Sequence, residues 1–178
     1  EDFNHGVYQI TLTQSCPDTP GQTNKAPFHI PLLYQLIASG NTELDTEHAQ
    51  EKLFELTQTT ETITIPNLKE KPILSINRNF SAPIVLHFDQ AEIELLTLVK
   101  KDNDAFNRWE AIQKLYMRSI LSNTLLDNPV IEALRQVLLD PSLDPAFKDL
   151  IFTLPAESYL YEQVSVIDPQ MIHLARRK

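Results

Sequence analysis

At Asp89 the hydrophobic pattern of this chain changes its period, and that change divides the molecule into two kinds of structure. Before it, Tyr8, Ile10 and Leu12 alternate with Gln9, Thr11 and Thr13, the two-residue repeat of a half-buried strand. After it, Ile93, Leu96 and Val99, then Phe106, Trp109, Ile112, Tyr116 and Ile120, recur at the spacing of a helix face. The strand period does not return. A chain of 178 residues is long enough for two such parts, each with its own core.

The first part reads as a series of short strands. Phe28, Ile30, Leu32, Tyr34 and Leu36 share one parity, and KLFELTQ, TETITI, PILSIN and PIVLHF follow between polar or Pro-bearing breaks. Pro31 has no N–H to donate, so its strand is expected at a sheet edge or bulged at that point. CPDTPGQTNKAP (16–27) is a connecting loop by its Pro, Asp, Gly and Asn content, and ASGNTELDTEHAQ (38–50) turns the chain. Six or seven short strands within about ninety residues favour an antiparallel β-sandwich of Ig-like type over 1–89.

The second part, 90–178, reads as an α-helical bundle or solenoid segment. Helices are expected near 90–101, 104–126, 129–139, 145–154 and 169–177, with a weaker turn at 158–164. Asn128-Pro129, Asp144-Pro145 and Asp168-Pro169 each place a capping side chain before a proline. The cap satisfies an orphan N–H, and proline in the first turn has none to lose.

Charge and cysteine content narrow the function. The net charge of −9 argues against nucleic acid, which calls for a surplus of Lys and Arg on one face. Residues 1–89 carry 5 basic and 11 acidic side chains, and residues 90–178 carry 10 and 13. The one dense basic cluster, Arg176-Arg177-Lys178, is most simply a solvated helix end that complements the dipole. Cys16 stands alone, so no intrachain disulfide is possible and the cytoplasm is the expected compartment. No apolar run approaches the ~20 residues of a membrane span. The opening Glu-Asp-Phe-Asn shows neither a signal peptide nor an initiator Met, as expected of a segment of something longer.

A search for chemistry assigns no catalytic, cofactor-binding or metal-binding residue. His5, His29, His48, His87 and His173 fall on separate elements, and no HExxH pairs two of them on a helix face. His29 and His87 each oppose the apolar parity of their strands and are expected at the surface. Cys16 lies beside Asp18 with no basic neighbour in sequence, the setting of an inert thiol. Three glycines leave no room for a phosphate-cradling loop, and no GxSxG elbow is present. Asp102-Asn103-Asp104 opens like a calcium loop but has Asn107 where the turn glycine belongs and Gln113 where the final Glu belongs. Asp104 is instead expected to cap the next helix, with Asp102 adding negative charge near its start. Trp109 is expected in the core with Phe106, Ile112 and Tyr116. Glu110, Glu132, Asp149 and Glu162 are expected on solvated faces.

Four stretches together, TLTQSCPDTPGQTNKAPFHIPL, NFSAPIVL, DAFNRWEAIQKL and VLLDPSLDPAFKDLIFTLPAE, resemble the aminopeptidase N family of zinc peptidases, in particular its bacterial alanyl aminopeptidase branch. They span Thr11 to about Asp168 in the family's order. The resemblance implies the small β-sandwich that follows the catalytic domain, joined to the first helices of the large C-terminal helical domain. The family's HExxH, its GAMEN motif and its catalytic Tyr belong to the preceding region, so none is carried over. What it implies for the parent is zinc-assisted hydrolysis of an N-terminal peptide bond. It also implies partners for this segment: the catalytic domain, the remaining helices and, for the parent, peptide substrates.

Two other readings compete. An independent sandwich-plus-helix module could recognise a protein partner. A small self-sufficient hydrolase could use His87 with Asp89, which share a side of their strand, but no nucleophile or second ligand accompanies them. If helices that would pack on Leu115, Ile120, Leu134, Leu138 or Phe147 are missing, apolar faces are expected to be exposed and to drive self-association.

Overall fold

The computed structural model describes residues 1–40 and 43–178. Asn41 and Thr42, inside the turn expected over 38–50, lie outside the described residues. The chain divides into two compact units, Glu1–His87 and Phe88–Lys178.

The first unit is built from β1 (Asp2–Asn4), β2 (Val7–Thr13), β3 (Ile30–Ile37), β4 (Lys52–Leu56), β5 (Thr60–Ile65) and β6 (Ile73–Ile76). They form two antiparallel three-stranded sheets, β1-β2-β5 and β4-β3-β6, in the sandwich expected from the alternation. Register keeps each parity set together. Tyr8 pairs with Ile65 and Ile10 with Ile63, while Leu32 pairs with Phe54, Tyr34 with Ile76 and Leu36 with Leu74. A one-residue slip would turn each of these sets to solvent. Tyr8, Ile10, Ile65, Leu32, Tyr34 and Leu36 are buried, whereas Gln9, Thr11 and Thr13 are exposed.

Several strand expectations need correction. Phe28 keeps the parity of β3 but lies outside it and is exposed. Its N–H donates to Gln14 Oε1 at 2.7 Å and its carbonyl accepts from Gln14 Nε2 at 2.8 Å. A side-chain amide thus replaces a neighbouring strand at that point. Pro31 is on the central strand of its sheet, not an edge, but β6 pairs only with residues 34–37. The Leu33 N–H, on the side where Pro31 lacks one, donates to Ser81 Oγ at 3.0 Å rather than to β4. The proline therefore costs no ladder bond.

PIVLHF is not a strand. Residues 83–88 alternate between half-buried and exposed, yet pair with no neighbour in either sheet. Period two reports a face, not a partner. Conversely, β1 escapes pattern reading because it has three residues. It is set by the two-residue turn His5-Gly6, both at positive φ (48° and 77°), which matches the twist of the flanking strands.

The second unit holds α1 (Glu92–Lys101), α2 (Ala105–Leu121), α3 (Asn128–Leu139), α4 (Pro145–Phe152), α5 (Glu157–Glu162) and α6 (Pro169–Arg176). α2 packs on α1, α4 and α6, α3 on α1 and α4, and α5 on α6. None of these helices is long and apolar enough to cross a membrane. Asp144 and Asp168 cap their helices as expected, but α3 is capped by Asp127, whose carboxylate accepts the Val130 N–H, and Pro129 is the second helical residue.

Helix α2 stops at Leu121, five residues short of the expected end. Asn123 takes φ 55°, the Thr124 N–H bonds Ser119 O at 2.9 Å and the Asn123 N–H bonds Ile120 O at 3.0 Å. That double closure is a Schellman end built on asparagine in place of glycine. The buried face of α1 is Leu95, Leu96, Leu98 and Val99, and Ile93 is exposed. On α2, Trp109 is only half-buried, because Ala111, Ile112, Leu115 and Tyr116 turn the core-facing stripe past it. Of the residues expected to present open apolar faces, Leu115, Ile120 and Leu134 are buried, Phe147 is half-buried and Leu138 is exposed.

The β1–β2 turn carries a direct test. A Cβ on Gly6 would lie 2.9 Å from Leu68 O, a backbone atom held by the Leu68 N–H to Gly6 O bond of 2.9 Å. Positive φ and this contact both oppose a side chain, so Gly6→Ala is expected to lower the stability of the first unit by more than about 1 kcal/mol. Urea unfolding reads the loss, and unchanged stability would mean that the turn is not held this way.

Candidate functional site

The reactive side chains lie in separate clusters, each tied to a structural task. In the first unit, the guanidinium of Arg78 is buried. Its Nε donates to Glu51 Oε2 at 2.7 Å and its Nη1 to Ser75 Oγ at 2.8 Å. Arg78 begins a 3-10 turn, Arg78–Phe80, that follows Asn77 in left-handed conformation. Asn77 Oδ1 accepts the Ala82 N–H at 2.9 Å and its Nδ2 donates to Ala82 O at 3.2 Å, closing the turn. Asparagine tolerates this backbone because its short amide can bond locally.

His48 is the buried histidine, and nothing in its sequence setting distinguished it. Its Nδ1 lies 2.8 Å from Asp45 Oδ1 and its Nε2 3.1 Å from Pro66 O, so it pins the segment before β4 to the end of β5. The His48 backbone N–H and ring together hold the Asp45 carboxyl below the usual carboxylate range. A cavity of about 160 Å³ adjoins it, lined by Glu43, Asp45, Asn67, Lys69 and Glu70 among others.

His5, His29 and His87 are exposed. His29 Nε2 sits 2.8 Å from Glu55 Oε1. Cys16 has a basic neighbour after all, Lys25, whose Nζ is 3.5 Å from Sγ. Nine residues separate the two in sequence. The loop doubles back through a Thr19–Gln22 bridge, with Pro20 and Gly21 (φ 79°) at the corner in the manner of a type II turn.

In the second unit, Asp102 and Asp104 are buried and their carboxylates serve the backbone. Asp102 Oδ1 accepts the Asp104 N–H at 2.9 Å, and Asp104 Oδ1 accepts the Asn107 N–H at 2.8 Å. The calcium-like spacing is therefore a helix junction, with Asp104 as the cap. Arg108 closes it from the other side, donating Nε to Val99 O at 3.0 Å with its guanidinium 5.7 Å from the Phe147 ring centroid. Burial pulls this guanidinium below its ordinary value, and the charges of Asp140 and Asp102 oppose the shift.

His173 Nδ1 is 2.7 Å from Glu157 Oε1, and the Tyr161 hydroxyl donates to Glu157 Oε2 at 3.1 Å. These contacts tie α5 to α6 at an exposed surface. Glu132, Asp149 and Glu162 are exposed, as expected of solvated faces, and Glu110 is half-buried.

Among the described residues, no three His, Cys, Asp or Glu side chains are placed to hold a metal ion. The three convergent protein ligands that a catalytic zinc calls for are thus not brought together among the described residues. A mostly apolar concavity of about 300 Å³ is lined by Tyr116, Ile120, Leu125, Ile131, Ala175 and Arg176 among others. Its one phenol, Tyr116, donates to Ile151 O at 3.1 Å. Its lining is mostly apolar, with Ser119, Thr124, Arg176 and Lys178 as its other polar members.

Residues 2–89 match a domain of unknown function with an Ig-like fold (DUF3458), and residues 92–178 match a domain of unknown function made of ARM repeats (DUF3458_C). Aminopeptidase N of Escherichia coli strain K12 is 31% identical over 183 residues, taking in 95% of this chain and 21% of the relative. Aminopeptidase N of Haemophilus influenzae is 31% identical over 182 residues (96% and 21%), and that of Caulobacter vibrioides 36% over 147 residues (79% and 16%). The chain thus spans about a fifth of the length of the curated relatives it matches. Among solved structures, Legionella pneumophila aminopeptidase A in complex with aspartic acid superposes with a TM-score of 0.78 at 24% identity, covering 96% of this chain and 19% of that one. That likeness shows the fold: an Ig-like sandwich followed by ARM-type helices.

Tyr116 supplies a test of how closely the second unit is packed. Burial pushes its phenol up from an ordinary 10.0 to about 12. A phenol raised in the fold contributes stability that is fully present below its unfolded value and lost as pH rises through the folded one. The second unit is therefore expected to weaken between about pH 10 and 12. In a spectrophotometric titration, Tyr116→Phe should remove a phenol that ionises near pH 12. An unchanged alkaline limb would show that Tyr116 is not sealed from water.

Proposed function

Because the chain belongs, domain by domain, to the DUF3458 Ig-like and DUF3458_C ARM-repeat families and is similar along nearly its whole length to bacterial aminopeptidases N, we propose that it is a non-catalytic scaffold segment of an enzyme of that kind. The observation that carries this reading is the match to the Escherichia coli relative, which takes in 95% of the chain and runs across the change from strands to helices. The side-chain chemistry supports it. Arg78 holds the side chains of Glu51 and Ser75, His48, Asp102, Asp104 and Arg108 each hold backbone, and no donor set for zinc is present among the described residues.

The whole enzyme, on this reading, is a zinc aminopeptidase that removes N-terminal residues from peptides. Its metal ligands and its general base lie outside this chain, so no step of the hydrolysis is assigned to residues here. The contribution of the chain is geometric. Its sandwich carries the catalytic domain at one end, and its helices begin the cap that limits which peptides reach the metal. Cytoplasmic residence belongs to the same proposal, since Cys16 has no partner for a disulfide within the chain.

A chimera tests the proposal. The corresponding segment of Escherichia coli aminopeptidase N is replaced by this chain, and hydrolysis of an alanine anilide is compared with that of longer alanine peptides. A scaffold predicts retained kcat on the anilide, with changes confined to KM for longer peptides. Loss of the anilide activity in a folded, zinc-loaded chimera would show that the segment contributes more than geometry.

A further inference from the structure

The surroundings of His48 call for two protons on its ring. The residue is 8% exposed, and each ring nitrogen faces a group that only accepts. Nδ1 lies 2.8 Å from both carboxylate oxygens of Asp45, and Nε2 lies 3.1 Å from Pro66 O. A neutral imidazole has one N–H and one lone pair, so it donates to only one of the two. The imidazolium donates to both. With the carboxylate holding the proton on Nδ1, a neutral ring would turn its Nε2 lone pair toward the Pro66 carbonyl and leave that buried contact unmade.

Three side chains fasten the end of the segment that leads into β4. Gln35 Nε2 donates to Ala49 O at 2.8 Å, Arg78 Nε donates to Glu51 Oε2 at 2.7 Å, and His48 reaches Pro66. Asp45 organises the turn that carries the histidine. Its Oδ1 accepts the His48 backbone N–H at 2.9 Å, and its carbonyl accepts the Ala49 N–H at 2.9 Å. Of the three ties, only the imidazole is of a kind that changes charge near neutral pH. Charged groups face it from both sides of the contact. Glu43 and Asp45 belong to its own segment, Lys69 and Glu70 follow Pro66, and all four line the 160 Å³ cavity beside the ring. That lining carries a surplus of negative charge, which suits a cationic ring. Glu47, the residue before His48, is exposed.

We propose that His48 is a proton-operated latch: as the imidazolium it fastens segment 43–48 to Pro66, and loss of its Nε2 proton releases that segment from the end of β5. By linkage, a proton that the fold holds through its acceptors contributes stability that is present on the acid side and lost as pH rises. Asp45 sets the opposite limit. Its carboxyl is held below the usual carboxylate range by the His48 backbone N–H and ring, so it stays ionised throughout the range in which histidines change charge. The latch is therefore closed in mildly acid solution and open in mildly alkaline solution. Ala49 and Glu51 keep their own ties, so the opening is confined to the residues before them and the strands keep their register. The proposal rests on the sandwich unit alone and is independent of the peptidase reading.

Nitrogen NMR of the isotopically labelled whole chain reads the latch directly. At about pH 6 both ring nitrogens of His48 are expected to give the signals of an imidazolium, and at about pH 8.5 Nε2 alone should be unprotonated. Hydrogen exchange is the second readout. Protection of the His48 and Ala49 amides, corrected for the intrinsic rate, is expected to fall about fivefold or more over that range, while that of β2 stays level. His48→Gln should abolish the change. A ring with a single protonated nitrogen at about pH 6 would overturn the proposal. So would protection that does not vary with pH, or a variation that survives in a folded His48→Gln chain.

Discussion

The α1–α2 junction is the constraint on which the helical unit depends. Asp102 and Asp104 each place a carboxylate on a backbone amide two or three residues ahead, and Arg108 reaches back to the Val99 carbonyl at the end of α1. A helix end buried without such partners would leave orphan amides in an apolar setting, at a cost of about 1–3 kcal/mol each. With the junction fixed, α2 is held in place to receive α4 and α6, while α3 lies against α1. Tyr116 then joins α2 to α4 by donating to Ile151 O from within the core. The same carboxylates that look like the opening of a cation loop are therefore committed to the chain itself.

The sandwich depends on a comparable economy. Its strands supply the apolar faces, but its crossings are held by side chains that stand in for strands. Gln14 grips the backbone of Phe28 from both sides, Asn77 closes the turn after β6, and His48 fastens the segment before β4 to Pro66. Each is a polar group whose hydrogen bonds go to main chain or to a neighbouring side chain, as His48 Nδ1 does to Asp45, and such groups are poor candidates for chemistry on a ligand. That commitment, more than the lack of any motif, is what makes a scaffold the natural reading of both units.

The parity of Tyr8 and Ile10 and of Leu32, Tyr34 and Leu36 was legible in the sequence because a buried sheet face imposes period two on its residues. Asp104, Asp144 and Asp168 were legible as caps because capping is decided within three residues. What was hidden depends on partners distant in sequence. PIVLHF alternates without a neighbouring strand, Phe28 is captured by Gln14, and Lys25 meets Cys16 only after the loop folds back. Two local signals went unread. Asn123 marks the end of α2 as glycine would, and His5-Gly6 is a two-residue hairpin turn. The burial of His48 had no signal at all, since a histidine between Glu47 and Ala49 looks the same whether or not Pro66 lies over it.

The central proposal is that this chain shapes an aminopeptidase without performing its chemistry. The most direct measurement is paired, on the purified chain: zinc content by elemental analysis and hydrolysis of an alanine anilide, with full-length aminopeptidase N as the positive control. A scaffold predicts zinc at background level and no turnover. Stoichiometric zinc together with turnover would contradict it, and would mean that side chains assigned here to holding the fold assemble a working site.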